Sequence, residues 1–335
     1  MTSFIVRTRT IRKKFVRYVK YAIDAMYASL LLETAYFKIL RARKANRTIY
    51  CVFDTICSPP SYGDFFNCVM LARLLATYAP TKFVYVNDTH RGDWPSFRFT
   101  SNSAAEEGQL EIARTLLKDR VDLSVTSWNE FKTQIVNNKE SYIIFGNLVR
   151  RRLGIYSWPN SLMANLYRRS PSKESWLINS SDLQDPNFSD LGLQRNGYLA
   201  WNVRFYPEEL HRNNTKDSIV ENLDYLNRVH GNLPIVIVTD PNSVEHFKEI
   251  FERIDQKVVF AVSSNRGFVS DMSIVVNSRS FYCHNAGGMA AIAIHSNTKY
   301  EISQRWLFLP QVFSHVREIP WRRDSQFYFP LNIEQ

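Results

Sequence analysis

The residues best suited to chemistry lie between Phe268 and His295. There Asp271-Met272 and a short apolar run lead into Ser280-Phe281-Tyr282-Cys283-His284, then Asn285-Ala286-Gly287-Gly288, then Met289 to Ile294. The pattern reads as a buried strand, a glycine-bearing turn and a helix of small residues. Adjacent glycines let backbone N–H groups approach a ligand, and the following helix offers the positive end of its dipole, so the turn suits an anion. Asn285 adds a polar side chain at the turn and little else there could be nucleophilic, which favours a bound phosphate over a reacting acyl group. Close helix–sheet packing would also use glycine at such a turn.

A second candidate comes earlier, in Gly197-Tyr198-Leu199-Ala200-Trp201-Asn202-Val203-Arg204, an apolar strand pattern ended by Phe205-Tyr206-Pro207. An arginine leaving a parallel strand stands where open α/β sheets bind ligands, and its planar fork suits a diphosphate; a solvated surface arginine is the alternative. The chain then alternates. Asp217 to Val229 has helical spacing, Leu233 to Val238 is a strand leaving into Thr239-Asp240-Pro241, Val244 to Ile254 is a helix, and Lys257 to Val262 is a strand leaving into Ser263-Ser264-Asn265-Arg266-Gly267. Successive strand ends with polar residues predict a nucleotide cleft in which Asn202, Arg204, Thr239, Asp240, Ser263 and Ser264 face a ligand. Each loop by itself is also ordinary turn chemistry.

The N-terminal half repeats the alternation: a strand over Thr48 to Asp54, a helix over Phe65 to Tyr78, a strand over Lys82 to Val86, a helix over Ala104 to Leu117 and a strand over Ser141 to Phe145. The first strand leaves into Cys57-Ser58-Pro59-Pro60-Ser61-Tyr62-Gly63-Asp64. Asp64 is either a helix N-cap or a carboxylate base facing an acceptor across the cleft, with Asp93 and Glu208 as rivals and Gly63 and Asp93 on the acceptor side. The expected fold is α/β, with two Rossmann-like domains and an N-terminal basic amphipathic helix. A chain of 335 residues, 45% hydrophobic and 22% charged, accommodates an arm over 1–47, an acceptor domain over 48–190 and a donor domain over 191–335. The stretch from Val149 to Asn196 lacks a period and predicts short helices and loops.

Charge is concentrated at the start. Residues 1–47 hold twelve Lys and Arg against two acids, which accounts for the whole formal net charge of +10. Asp24, Glu33 and Lys38 interrupt what would otherwise be a membrane span, and no apolar core with a small-residue cleavage site marks a signal peptide. The mixture of cations with Tyr18, Tyr21, Tyr27, Tyr36 and Phe37 fits an anionic membrane surface, which predicts a cytoplasmic protein held peripherally through residues 1–45. A helix packed on the domain, and less readily a nucleic-acid contact, would use the same residues. Cys51, Cys57, Cys68 and Cys283 form no CxxC pair, so neither a disulfide framework nor structural zinc is expected.

The order Asn202-Val203-Arg204, then βα units, then Asp271-Met272, Ser280-Phe281-Tyr282 and Asn285-Ala286-Gly287-Gly288 resembles the C-terminal donor domain of GT-B glycosyltransferases, nearest to the fucosyltransferase-like superfamily. The resemblance implies that Arg204 binds the donor diphosphate, that Asp271 introduces the last strand, and that Asn285, Gly287 and Gly288 form the turn before a helix. This chain has Phe205-Tyr206-Pro207 where the superfamily continues with a second arginine, and Gly-Gly where fucosyltransferases carry hydroxyls. The implied activity is metal-independent transfer of a sugar, fucose first, from a nucleotide-diphosphate sugar to a glycan or lipid-linked glycan, with no cofactor. A pyruvyl- or other group transferase, or a non-catalytic glycan- or nucleotide-binding protein, would keep the same cleft.

Overall fold

The computed structural model describes residues 30–55 (save 31), 62–87, 102–138, 141–150 (save 147), 155–157, 162–169 (save 164, 167 and 168), 174–183, 191–206, 213–253, 257–262, 267–284, 288–303 and 326–328. Two parallel sheets with flanking helices make up the molecule, the α/β arrangement of two Rossmann-like halves expected above. The first sheet contains β1 (Ile49–Asp54), β2 (Thr81–Val86), β3 (Asp122–Thr126) and β4 (Tyr142–Phe145) in the order β3-β2-β1-β4. Helix α1 (32–45) precedes it, α2 (Tyr62–Ala76) and α3 (Asn102–Leu117) connect its first strands, and α4 (Trp128–Phe131) begins at a Ser127–Glu130 capping box. A small antiparallel hairpin, β5 (Leu148–Arg150) with β6 (Ile155–Ser157), follows.

The second sheet is built from β7 (Leu199–Asn202), β8 (Ile235–Thr239), β9 (Val258–Val262), β10 (Ser280–His284), β11 (Lys299–Ser303) and β12 (Gln326–Tyr328). Its order is β12-β11-β10-β7-β8-β9. Its helices are α5 (Lys216–His230), α6 (Pro241–Phe251), α7 (Gly267–Asn277) and α8 (Gly288–Ile294). In α5 a Thr215–Ser218 capping box starts the helix, Ile219, Leu223 and Leu226 form its buried stripe, and Gly231 at φ 65° ends it.

Sequence periodicity found the amphipathic elements and missed several others, α7 and β3 among them. Helix α7 is buried from Ser270 to Asn277, so it has no polar face to create a period, and its apolar run reads as the approach to a strand. This corrects the expectation for Asp271: it lies inside a helix, 1% exposed, and the strand after it is not the last, because β11 and β12 follow. Strand β3 escaped for the opposite reason. As an edge strand with mostly exposed residues it shows no inside-outside alternation.

One apolar core crosses from sheet to sheet. Phe53, Phe65, Phe66 and Met70 of the first half share a cluster with Val236, Ile274, Phe281 and Ile292 of the second, and α2, α3, α7 and α8 supply nearly half of the filling. Within it the Phe65 ring meets Phe53 edge-on at 4.9 Å and Phe83 at 5.8 Å. Each such side chain contributes roughly 1.5–3 kcal/mol by leaving water. Ile39 and Ala42 of α1 are fully buried in the same cluster, with Leu32, Ala35 and Tyr36 packed against it. The end of the basic arm is thus a packed helix; residues 1–29 lie outside the described residues. No described helix is long and apolar enough to cross a membrane.

Candidate functional site

Each sheet has one place where its strand order reverses. In the first sheet β2 and β3 lie on one side of β1 and β4 on the other; in the second, β8 and β9 lie on one side of β7 and β10 on the other. At such a point the loops leaving two adjacent parallel strands diverge, one passing over each face, and a crevice opens at their carboxyl ends. The first switch point is flanked by Thr55 after β1 and by Gly146 after β4. The second is flanked by Val203-Arg204 after β7 and by His284 at the end of β10.

The helices that follow the two switch points meet. A Cβ placed on Gly288 would stand 3.6 Å from the Gly63 backbone nitrogen and 3.7 Å from its Cα, so the first turns of α2 and α8 approach backbone to backbone. Beside this meeting point Tyr62 stacks on Phe268 at 4.7 Å between ring centroids, joining the start of α2 to the start of α7. Deeper in, Asn67 Oδ1 lies 3.1 Å from His295 Nε2, both buried, which ties α2 to the residue following α8.

Arg204 is 7% exposed, which excludes the solvated surface arginine. Its loop is held at nearly every backbone polar group. The Arg204 N–H donates to Asn214 Oδ1 at 2.9 Å, and the Arg204 carbonyl accepts from the Asn214 N–H at 3.0 Å. The Phe205 N–H donates to Ser243 Oγ at 2.8 Å, and the Tyr206 N–H donates to Asn213 Oδ1 at 2.9 Å. The Asn213 amide donates back to the Tyr206 carbonyl at 2.6 Å, and the Thr239 hydroxyl donates to the Val203 carbonyl. The guanidinium carbon sits 4.7 Å from the Tyr206 ring centroid, a cation–π distance. These hydrogen bonds fix the backbone from which the Arg204 side chain leaves the end of β7.

The remaining predicted residues separate by what their polar atoms do. Asn202 Nδ2 donates to the Val238 carbonyl at 2.7 Å, bridging β7 and β8. Asp240 is the N-cap of α6, accepting from the Ser243 N–H at 3.1 Å and from its hydroxyl at 2.7 Å. Asn202, Thr239 and Asp240 therefore shape the loops at the β7–β8 exits. Asp64 is half-buried in the first turn of α2, which begins at Tyr62, so it is a third helical residue rather than a cap. A carboxylate there is favoured by the helix dipole. Ser263, Ser264, Asn285, Gly287, Asp93 and Glu208 lie outside the described residues.

Sequence reasoning missed Asn213, Asn214 and Ser243, which hold the arginine loop, and Glu111 of α3. The Glu111 carboxylate oxygens lie 3.5 and 3.7 Å from where a Cβ on Gly267 would stand, at the start of α7. Desolvation there, and then the charge of Glu107, push its pKa above the ordinary glutamate value. Burial, then Glu111, push the Tyr62 phenol up. Burial likewise pushes up the Cys51 and Cys283 thiols and is the main cause at Cys68, so none of the three is a poised nucleophile. Among the described residues no cluster of His, Cys, Asp or Glu could hold a metal ion.

No protein-family model matches the chain, and no curated protein does. Solved structures similar to it include a glycosyl transferase family 9 protein from Veillonella parvula, 14% identical over 76% of this chain and 80% of that one, with a TM-score of 0.42. ADP-heptose lps heptosyltransferase II of E. coli is 10% identical over 85% of this chain and 91% of its own, with a TM-score of 0.43. UDP-GlcNAc 2-epimerase of Methanocaldococcus jannaschii is 12% identical over 76% and 83%, with a TM-score of 0.34. Likenesses this distant carry no functional argument, and the site's own geometry must supply it.

Proposed function

We propose that the protein is a glycosyltransferase that takes a sugar from a nucleotide-diphosphate donor, fucose first, and places it on a glycan or lipid-linked glycan without a metal. The observation that carries this reading is the close approach, at Gly63 and Gly288, of the two helices that follow the two switch points, with the buried Arg204 at the exit of β7. Group transfer between two bound substrates needs two facing sites, and a single nucleotide-binding crevice would need only one.

In this reading the diphosphate lies against Arg204 and the turn of Asn285, Gly287 and Gly288, while the acceptor enters over Gly63. Asp64 takes the proton from the acceptor hydroxyl as its oxygen attacks the anomeric carbon. The bond from that carbon to the diphosphate breaks, its electron pair leaves with the phosphate oxygen, and Arg204 offsets the charge that develops there.

The test is a panel of nucleotide sugars scored for release of free nucleotide, with and without EDTA, followed by calorimetry on Arg204 variants. Turnover should survive EDTA. Arg204→Ala should weaken nucleoside diphosphate binding by about 1.5–3 kcal/mol, the scale of a hydrogen bond to a charged group, and leave the nucleoside unaffected. Arg204→Lys should recover part of the loss, because an ammonium keeps the charge but not the fork. Equal effects on nucleoside and diphosphate would remove Arg204 from the donor site, and turnover restored only by a divalent ion would overturn the metal-free mechanism.

A further inference from the structure

Helix α1 has one face in the core and another in water that looks nothing like an ordinary solvated face. Ile39 and Ala42 are fully buried, whereas Leu30 is 60% and Phe37 57% exposed, two of the largest exposures among the described apolar side chains. Residues seven apart on a helix return to the same side to within about 20°. Phe37, Arg41 and Lys44, four and seven apart, therefore share one side of α1, with the exposed Lys38 on its flank and the exposed Leu30 just before the helix.

The charge on this face is predominantly positive. Glu33 is the sole acid among residues 30–45; it stands four residues before Phe37, on the same side, and is paired with Arg169, whose guanidinium carbon also lies 4.0 Å over the Tyr36 ring. That pairing neutralises the acid and leaves the cations of the helix uncompensated within it. The sequence running into Leu30 continues the same chemistry, with Arg7, Arg9, Arg12, Lys13, Lys14, Arg17 and Lys20 and no acid before Asp24.

We propose that this outer face of α1 docks the folded protein on an anionic lipid bilayer. Phe37 and Leu30 enter the headgroup boundary, and Lys38, Arg41 and Lys44 lie against lipid phosphates, the division of labour of an interfacial amphipathic helix. Because the opposite face is core, the whole body is carried at a fixed orientation, unlike a protein tethered by a loose arm.

Deleting the helix would remove Ile39 and Ala42 from the core, so the test uses point substitutions in the full chain. Flotation with phosphatidylcholine vesicles, with and without phosphatidylglycerol, should show binding only to the anionic set. Phe37→Ser should abolish it at an unchanged melting temperature. Lys38→Ser and Arg41→Ser should each weaken partition about fivefold, the equivalent of about 1 kcal/mol per cation near a charged membrane. No binding by the parent, equal binding to both vesicle types, or binding indifferent to these substitutions would overturn the proposal. So would a dimer in light scattering that Phe37→Ser dissolves, which would give the face to a second copy of the chain.

Discussion

Arg73 lies in the last turn of α2 with its side chain fully buried, and replacing it with methionine tests how that helix is fixed. Its Nε donates to the Trp176 carbonyl at 2.9 Å and Nη1 to the Leu116 carbonyl at 2.8 Å. Nη2 donates to the Leu177 carbonyl at 3.1 Å and to Asp182 Oδ2 at 2.9 Å. Methionine retains similar length and bulk but donates nothing, so three carbonyls lose a donor. Asp182 keeps Arg120 at 3.1 Å and the Asn179 N–H at 3.0 Å. Breaking a buried pair costs about 3–5 kcal/mol, which already offsets the desolvation that the absent guanidinium no longer pays. With an unfolding entropy of about 2.1 cal/mol/K per residue over 335 residues, the melting temperature should fall by about 4–7 °C if the chain unfolds as one unit. Arg73→Lys should recover part of this, since one ammonium cannot span acceptors on α3 and on 176–182. Differential scanning calorimetry decides it: a drop below about 1 °C for Arg73→Met would mean that the hub carries no net stability.

Two further outcomes follow from the site. Asn214→Ala removes the acceptor for the Arg204 N–H and should weaken diphosphate binding by about 1 kcal/mol, read by calorimetry, with no effect on the nucleoside. For Glu111 the raised folded-state pKa means that ionisation opposes folding: above that pKa both states are charged and the penalty is full, and below the unfolded-state pKa both are protonated and it is gone. Glu111→Gln should therefore melt higher than the parent at neutral pH, with the gap closing as pH falls through the glutamate range; a gap independent of pH would refute the assignment.

Helices such as α5 could be read from the chain because they have one wet and one dry face, and the buried strands β8 and β10 because each is a short apolar run ending in polar residues. In α7 burial leaves no such face, and in β3 the wet residues dominate, so periodicity had little to report. At the site, Arg204 was readable because an arginine ending an apolar strand is conspicuous. Its supports were not, since Asn213 and Asn214 in a loop look like any turn until the distance back to residue 204 is known. Two signals were present and unread: Asn67 and Arg73 are isolated polar residues in the apolar run FFNCVMLARLL, and each makes a long-range bond that joins α2 to a distant segment. Asp64 was placed one turn boundary too late because Tyr62, held against Phe268, already lies within the helix.

The seam between the two sheets has a consequence for how the halves can part. Since Phe66, Asn67 and His295 are sealed inside a continuous interior, the halves cannot swing apart like a clamshell without exposing that interior to water. Separating even a few such side chains would cost several kcal/mol, so a parted form is a minor population beside the closed one. A cut between the halves should therefore lay this apolar interior open and yield two poorly soluble pieces rather than two working modules.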